Sequence, residues 1–219
     1  MVNLNTDLID FTTIDYDRKY AGLSLACMGD SNTDATWNGI TYVYNRIPVS
    51  CHWTSLFGMQ TGIPVINAGK AGETTSQMLR RFNTDIVASH PTYCTIMGGG
   101  NDCYSLTPVD TIMNNIIQMV NMCLANNIVP IVMDYPIWSN SIDPTVAAQE
   151  RALLATLHTD LQSYTHANNI NYVDLHNTAL MVNGAQDPTC YMGDLIHFNT
   201  KGCMVVATTL LQFFDVLIP

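Results

Sequence analysis

Five short apolar runs recur along the chain: Leu23 to Met28, Ile63 to Ile66, Tyr93 to Met97, Ile128 to Met133 and Ile170 to Asp174. Helical stretches lie between them, at about Ser50 to Gln60, Thr75 to Phe82, Val109 to Asn126 and Val146 to Asn168. A final helix is expected from about Lys201 to Val216. Strands buried on both faces read as continuous apolar runs, and their alternation with helices predicts a parallel sheet. The expected fold is therefore α/β, a three-layer α/β/α sandwich around a five-stranded parallel sheet. Within 109 to 126, Ile112, Ile116, Met119, Val120 and Cys123 recur at helical spacing, which marks a core-facing stripe.

The chain has 219 residues, enough for one sizeable core and short for two. Residues 1–20 are polar and acidic without a clear period, so they are read as an N-terminal arm ahead of a single domain over 21–219. Eight basic against 18 acidic residues leave a net charge of −10, which argues against nucleic acid or an anionic membrane as partner. No secretory signal is legible, because Met1 to Asp7 has neither a basic start nor an apolar centre. No apolar stretch approaches the roughly 20 residues of a membrane helix, so no membrane insertion is expected. Seven cysteines, an odd number mostly in apolar patterns, predict buried free thiols. They form no Cys-x-x-Cys, and the six histidines lack metal-ligand spacing, so neither metal nor cofactor is expected.

Three polar blocks follow strand ends or approach the C-terminus. Gly29-Asp30-Ser31-Asn32 ends the first run and leads towards a helix start. Open α/β sheets bind ligands at that carboxyl edge, and amides at a helix start can receive negative charge. Gly98-Gly99-Gly100-Asn101-Asp102 follows the third run, and Asp194-Leu195-Ile196-His197 precedes the last helix. A fourth block, Asn67-Ala68-Gly69-Lys70-Ala71-Gly72-Glu73-Thr74, follows the second run. Taken singly, each is compatible with a turn or a helix cap.

In this order the four blocks resemble the SGNH hydrolases, the GDSL-type esterases and lipases, from about Gly22 to the C-terminus. The resemblance implies a flavodoxin-like fold and an acyl-serine mechanism without cofactor. It implies Ser31 as nucleophile, His197 as general base and Asp194 as the carboxylate orienting the imidazole. The implied oxyanion hole comprises the Ser31 amide, the Gly72 amide and the Asn101 side chain. Gly72 fits better than Gly69, because Glu73-Thr74 follows it. Asn32 departs from the leucine of the family name, at a variable position that contacts no reacting atom.

The chemistry asks for these residue types. A serine hydroxyl is a weak nucleophile until a base takes its proton, and imidazole can accept and return one near neutrality. A carboxylate three residues earlier reaches the other ring nitrogen if the segment turns tightly. Uncharged amide donors stabilise the oxyanion without competing for the base. His176, after the fifth run, is the alternative base.

The loop Tyr135 to Asn140 should line the pocket, with Trp138 as a sugar platform or acyl wall. Tyr104 and Phe198 are further pocket candidates, while Trp37 and Trp53 are expected to pack structurally. The expected substrate is a small ester or acylated carbohydrate, with acetyl favoured because no apolar lid is visible and the pocket loops are polar. The alternatives are a lipolytic esterase or thioesterase on longer chains, or a carbohydrate-binding virion or adhesin module with little turnover. A flavodoxin-like cofactor binder is a more distant option.

Overall fold

A computed structural model describes residues 19–34, 49–136 and 141–218. The strands are β1 (Leu25–Gly29), β2 (Val65–Gly69), β3 (Tyr93–Met97), β4 (Val129–Met133) and β5 (Asn171–Val173). They form one parallel sheet in the order β2-β1-β3-β4-β5. The helices are α1 (Trp53–Thr61), α2 (Thr75–Asp85), α3 (Gly100–Tyr104), α4 (Val109–Ala125), α5 (Pro144–Ala167) and α6 (Thr200–Leu217). The expected α/β architecture with five parallel strands is what is found.

Burial accounts for the layering. Every residue of β1 is buried, as are Cys94 to Met97 of β3 and Pro130 to Met133 of β4. α1 packs on α6 to form one helical layer, while α2, α4 and α5 pack successively on the other side. The stripe anticipated in α4 is buried along its whole length. Phe214 of α6 meets Phe57 of α1 and Tyr93 of β3 edge-on, each at 5.0 Å between ring centroids. By length and composition α6 resembles a membrane span. Its Val206, Ala207, Leu210 and Phe214 are nevertheless buried in the protein core, which explains its apolar character.

Several element boundaries differ from expectation for identifiable reasons. β2 runs from Val65 to Gly69 and not from Ile63 to Ile66, since its ladder with β1 continues through Asn67. The Asn67 side chain stays satisfied there by donating to the Thr33 carbonyl at 2.6 Å and to Thr54 Oγ1 at 3.0 Å. α5 begins at Pro144 because Asp143 caps it, accepting from the Thr145 and Val146 amides at 2.8 and 3.2 Å. The short helix α3 occupies what reads as a strand-ending turn.

A two-stranded hairpin, β6 (Met181–Val182) with β7 (Ala185–Gln186), was not anticipated. Its signal was Asn183-Gly184, both at positive φ, the dipeptide that favours a tight hairpin turn. All seven cysteines are free thiols, as expected. Of the expected N-terminal arm, residues 1–18 lie outside the described residues. Tyr20, at its end, is buried and donates its hydroxyl to Asp215 at 2.6 Å.

Candidate active site

Strand order decides where the polar blocks meet. β1 leads to β2 on one side and β3 lies on its other side, so the connections from the ends of β1 and β3 part at the sheet's carboxyl edge. Such a switch point opens a crevice in doubly wound sheets. Ser31 follows β1 and Asn101 follows β3, so the two blocks flank that crevice. The cleft, about 200 Å3, is lined by Asp30, Ser31, Asn32, Asn101, Tyr104, Tyr135, Ile196 and His197. A larger surface depression of about 510 Å3 lies between α6 and residues 174–179, but it contains no comparable nucleophile and base.

Gly29 makes the sharp exit from β1 possible. A Cβ there would run into the Thr33 side chain, which folds back beneath the turn. The turn is closed by the Thr33 and Asp34 amides donating to the Asp30 carbonyl at 3.0 and 2.8 Å. The helix start expected directly after Ser31 is not found there: residues 31–33 form a turn. Trp37 lies outside the described residues.

The Asp194 to His197 segment turns tightly ahead of α6, with Leu195 at φ +58°. Asp194 Oδ1 accepts from the Ile196 and His197 amides at 2.9 and 3.1 Å, while Oδ2 lies 2.7 Å from His197 Nδ1. Burial pushes the Asp194 carboxyl up, but the His197 ring and the two amides outweigh it and hold the group at about 2. An ionised carboxylate can only accept, so Nδ1 carries the ring proton. Nε2 then offers its lone pair to Ser31 Oγ, 2.9 Å away. Hydroxyl, imidazole and carboxylate thus form one hydrogen-bonded chain capable of removing a proton from the serine.

The remaining expected site residues are distributed less uniformly. Asn101 Nδ2 donates to the Glu73 carbonyl at 3.0 Å and more loosely to Asp30 Oδ2 at 3.3 Å. The first bond fixes the amide plane; the longer one faces the cleft wall and is the easier to exchange. Gly72 is exposed at φ +78°, in a turn closed by the Glu73 amide donating to the Lys70 carbonyl at 3.3 Å. A positive φ at the third position of such a turn accounts for the glycine. Gly72 does not line the described cleft.

Tyr104 does line it, half exposed at 50%. Phe198 requires a correction: it is buried at 3%, with its ring against Tyr191 at 5.6 Å, so it belongs to the core and not to the pocket. Trp138 lies outside the described residues. Trp53 is buried, as expected of a structural residue. Sequence reading missed Tyr135 as an individual site residue. It is buried beside Asp30 and donates its hydroxyl to Asp30 Oδ1. Burial raises the Asp30 carboxyl to about 6, against the lowering effect of the Tyr135 hydroxyl and the Asn32 amide.

His176 is committed elsewhere. Asp134, at the end of β4, gathers His158 Nδ1 at 2.6 Å, His176 Nδ1 at 2.8 Å and the Tyr172 hydroxyl at 2.8 Å on one oxygen. Its other oxygen accepts from the Leu175 amide at 2.6 Å. With Asp174, the Asp134, His158 and His176 side chains offer metal-ligand atoms within 4.8 Å of one another. No spacing along the chain revealed this grouping, because β4, α5 and the segment after β5 each contribute to it. Four donors already satisfy Asp134, so its role is that of a buried hydrogen-bonded anchor for the start of the Tyr135 loop. Burial pushes its carboxyl up, but the histidine and amide bonds prevail and hold it below the ordinary range.

Comparison with known proteins bears on the family and the fold. The GDSL-like Lipase/Acylhydrolase family matches residues 27–204. A G-D-S-L family lipolytic protein from Desulfitobacterium hafniense superposes with a TM-score of 0.71 at 18% identity, covering 87% of this chain and 98% of the other. An acylhydrolase from Bacteroides fragilis gives 0.71 at 21% identity, covering 96% and 99%. A catalytic mutant of an acetylxylan esterase from Geobacillus stearothermophilus gives 0.68 at 20% identity, covering 88% and 94%. In sequence, an uncharacterized lipoprotein of Bacillus subtilis is 33% identical over 85 residues, which span 38% of this chain and 33% of that protein.

Proposed function

The chain belongs to the GDSL-like lipase/acylhydrolase family, and from that premise we propose that it hydrolyses carboxylic esters through an acyl-serine intermediate at Ser31. The observation that carries the reading is the continuous bond chain from Ser31 Oγ to His197 Nε2, at 2.9 Å, and from Nδ1 to Asp194, at 2.7 Å, on the wall of the cleft. His197 takes the Ser31 proton as the hydroxyl attacks the ester carbonyl. It then returns that proton to the departing alcohol, and water repeats the sequence to release the acid. Asp194 keeps the imidazole in the tautomer that this requires. The Ser31 amide and Asn101 Nδ2 are the oxyanion donors in this reading, with Asn101 giving up its long bond to Asp30 as charge develops. Gly72, exposed and outside the cleft lining, is not counted among them.

Asn101→Ala should then lower kcat by about 10²–10³ and leave KM nearly unchanged, because the lost bond is stronger in the transition state than in the ground state. Steady-state kinetics on an aryl ester measure both constants. A rise in KM at constant kcat would make Asn101 a substrate-holding group instead.

For the acyl group we favour acetyl, borne by a carbohydrate. A cleft of about 200 Å3 with Asp30, Asn32 and Asn101 in its lining supports this choice. Extending acetyl to octanoyl adds six methylenes, whose complete burial would contribute roughly 5 kcal/mol. A cleft of that size leaves little room to bury such a chain. The acetylxylan esterase noted above acts on an acetylated sugar polymer, which is consistent with this preference. The test is kcat/KM across aryl esters from acetyl to octanoyl, alongside acetate release from acetylated polysaccharide. Acetyl should be the fastest. Rates that climb steadily with chain length would replace this reading with the lipolytic one.

A further inference from the structure

Asn32 sits directly after Ser31, where the family name has leucine. Its side chain is 5% exposed, and nothing in its local sequence suggests a partner. The partners lie 164 and 166 residues away: Nδ2 donates to the Ile196 carbonyl at 3.2 Å, and Oδ1 accepts from the Phe198 amide at 3.0 Å. One side-chain amide therefore grips the backbone on both sides of His197. Only a group with a donor and an acceptor in one plane can make both bonds, and leucine can make neither.

The grip is itself anchored. The Asn32 carbonyl accepts from the buried Trp53 indole at 2.7 Å, and the Asn32 amide donates to Asp30 Oδ1 at 3.0 Å. Asn32 cannot drift without disturbing the turn that carries Ser31. The segment it holds includes Leu195 in the left-handed region, a conformation that a leucine adopts only when its surroundings impose it. Asp194 alone positions the imidazole relative to its own turn. Asn32 ties that turn to the serine.

We propose that Asn32 is a positioning residue whose side-chain amide holds His197 in register with Ser31. The inference rests on the reading of these two residues as base and nucleophile. A general base must lie within hydrogen-bond reach of the proton it takes, and a displacement of about 1 Å can cost on the order of 10²-fold in rate.

The test compares wild type with Asn32→Leu and the near-isosteric Asn32→Asp, with Ser31→Ala and His197→Ala measured in parallel. Asn32→Asp keeps an acceptor for the Phe198 amide and, when ionised, turns a second acceptor towards the Ile196 carbonyl. Kinetics are taken well below each variant's Tm. Asn32→Leu should lower kcat on the order of 10²-fold and leave KM within about twofold, with Asn32→Asp losing about tenfold. Phosphonate labelling of Ser31 should slow in proportion. A second readout follows the ring directly. The low-field proton resonance of the His197–Asp194 bond, assigned by its loss in His197→Ala, should broaden in both Asn32 variants as the ring gains freedom. Asp30 and Asp194 are titratable groups close to the ring in every Asn32 variant, and Asn32→Asp adds a third carboxyl beside it, so spectra are compared at one pH with Asn32→Leu as the uncharged reference.

Full kcat with a sharp resonance in a folded Asn32→Leu overturns the proposal even if Tm falls. Near-normal turnover in Ser31→Ala would instead remove the nucleophile reading, and the proposal with it. The two failures are thus distinguishable.

Discussion

Ser31→Ala should lower kcat by roughly 10⁴-fold or more while the protein remains folded. The expected loss is large because no other group can replace the attacking oxygen. What remains reflects the binding and oxyanion interactions. The substitution removes one hydroxyl from a half-buried position and leaves the turn intact, since that turn is closed by the Thr33 and Asp34 amides on the Asp30 carbonyl. Circular dichroism and Tm should therefore stay close to wild type. A phosphonate ester should add to wild type at Ser31 and fail to label the variant. A label mapping to another residue would be as damaging to the assignment as retained turnover.

His197→Ala should produce a loss of similar size, and its pH profile is the more informative measurement. In wild type the rate should fall in acid, because a protonated imidazole cannot accept the serine proton. Two nearby carboxyls could imitate that limb, and their shifts have opposite signs. Asp194 is held at about 2, so its contribution to stability is present above the unfolded carboxyl value near 4 and is lost only as pH falls towards 2. It remains ionised throughout the working range and cannot produce a limb near neutrality. Asp30 is raised to about 6 by burial, so its contribution favours folding at low pH and is lost as pH rises through 6.

The residual activity of His197→Ala separates the two remaining sources. Its acid limb should vanish if the imidazole is the source. An acid limb surviving in that variant would assign it to Asp30, through the Tyr135 and Asn101 bonds that this carboxyl holds. Asp194→Asn should be the milder change, because the imidazole stays in place with its orientation impaired.

Much of the fold was legible because its signals are local. A strand buried on both faces must be apolar throughout, so β1, β3 and β4 stood out within a residue or two of their final bounds. β2 shifted because its pairing extends through Asn67, whose polarity hides a strand until its side-chain partners are known. α3 and the β6–β7 hairpin were missed because a few residues of helix or strand bury too little apolar surface to show a period.

The site divides along the same line. Ser31, Asp194, His197 and Asn101 were nameable as candidates because each lies in a short block with a characteristic chemistry, and the Asp194–His197 contact spans only three residues. Phe198 was misjudged because neighbouring a base in sequence does not imply facing its cleft. The chain alternates direction, and the Phe198 ring turned inwards against Tyr191.

The sequence by itself determined which segments are strands, that the sheet is parallel, and which residue types can move a proton. Only the tertiary structure decided the strand order that parts at β1, and with it the meeting of Ser31 and His197 across 166 residues. It also decided that Asn32 would grip the His197 segment, and that Asp134 would collect His158 and His176. The physical reason is range. Propensity and hydrophobic period act over a few residues along the chain, whereas these bonds depend on how separate elements come to lie beside one another once the core is packed.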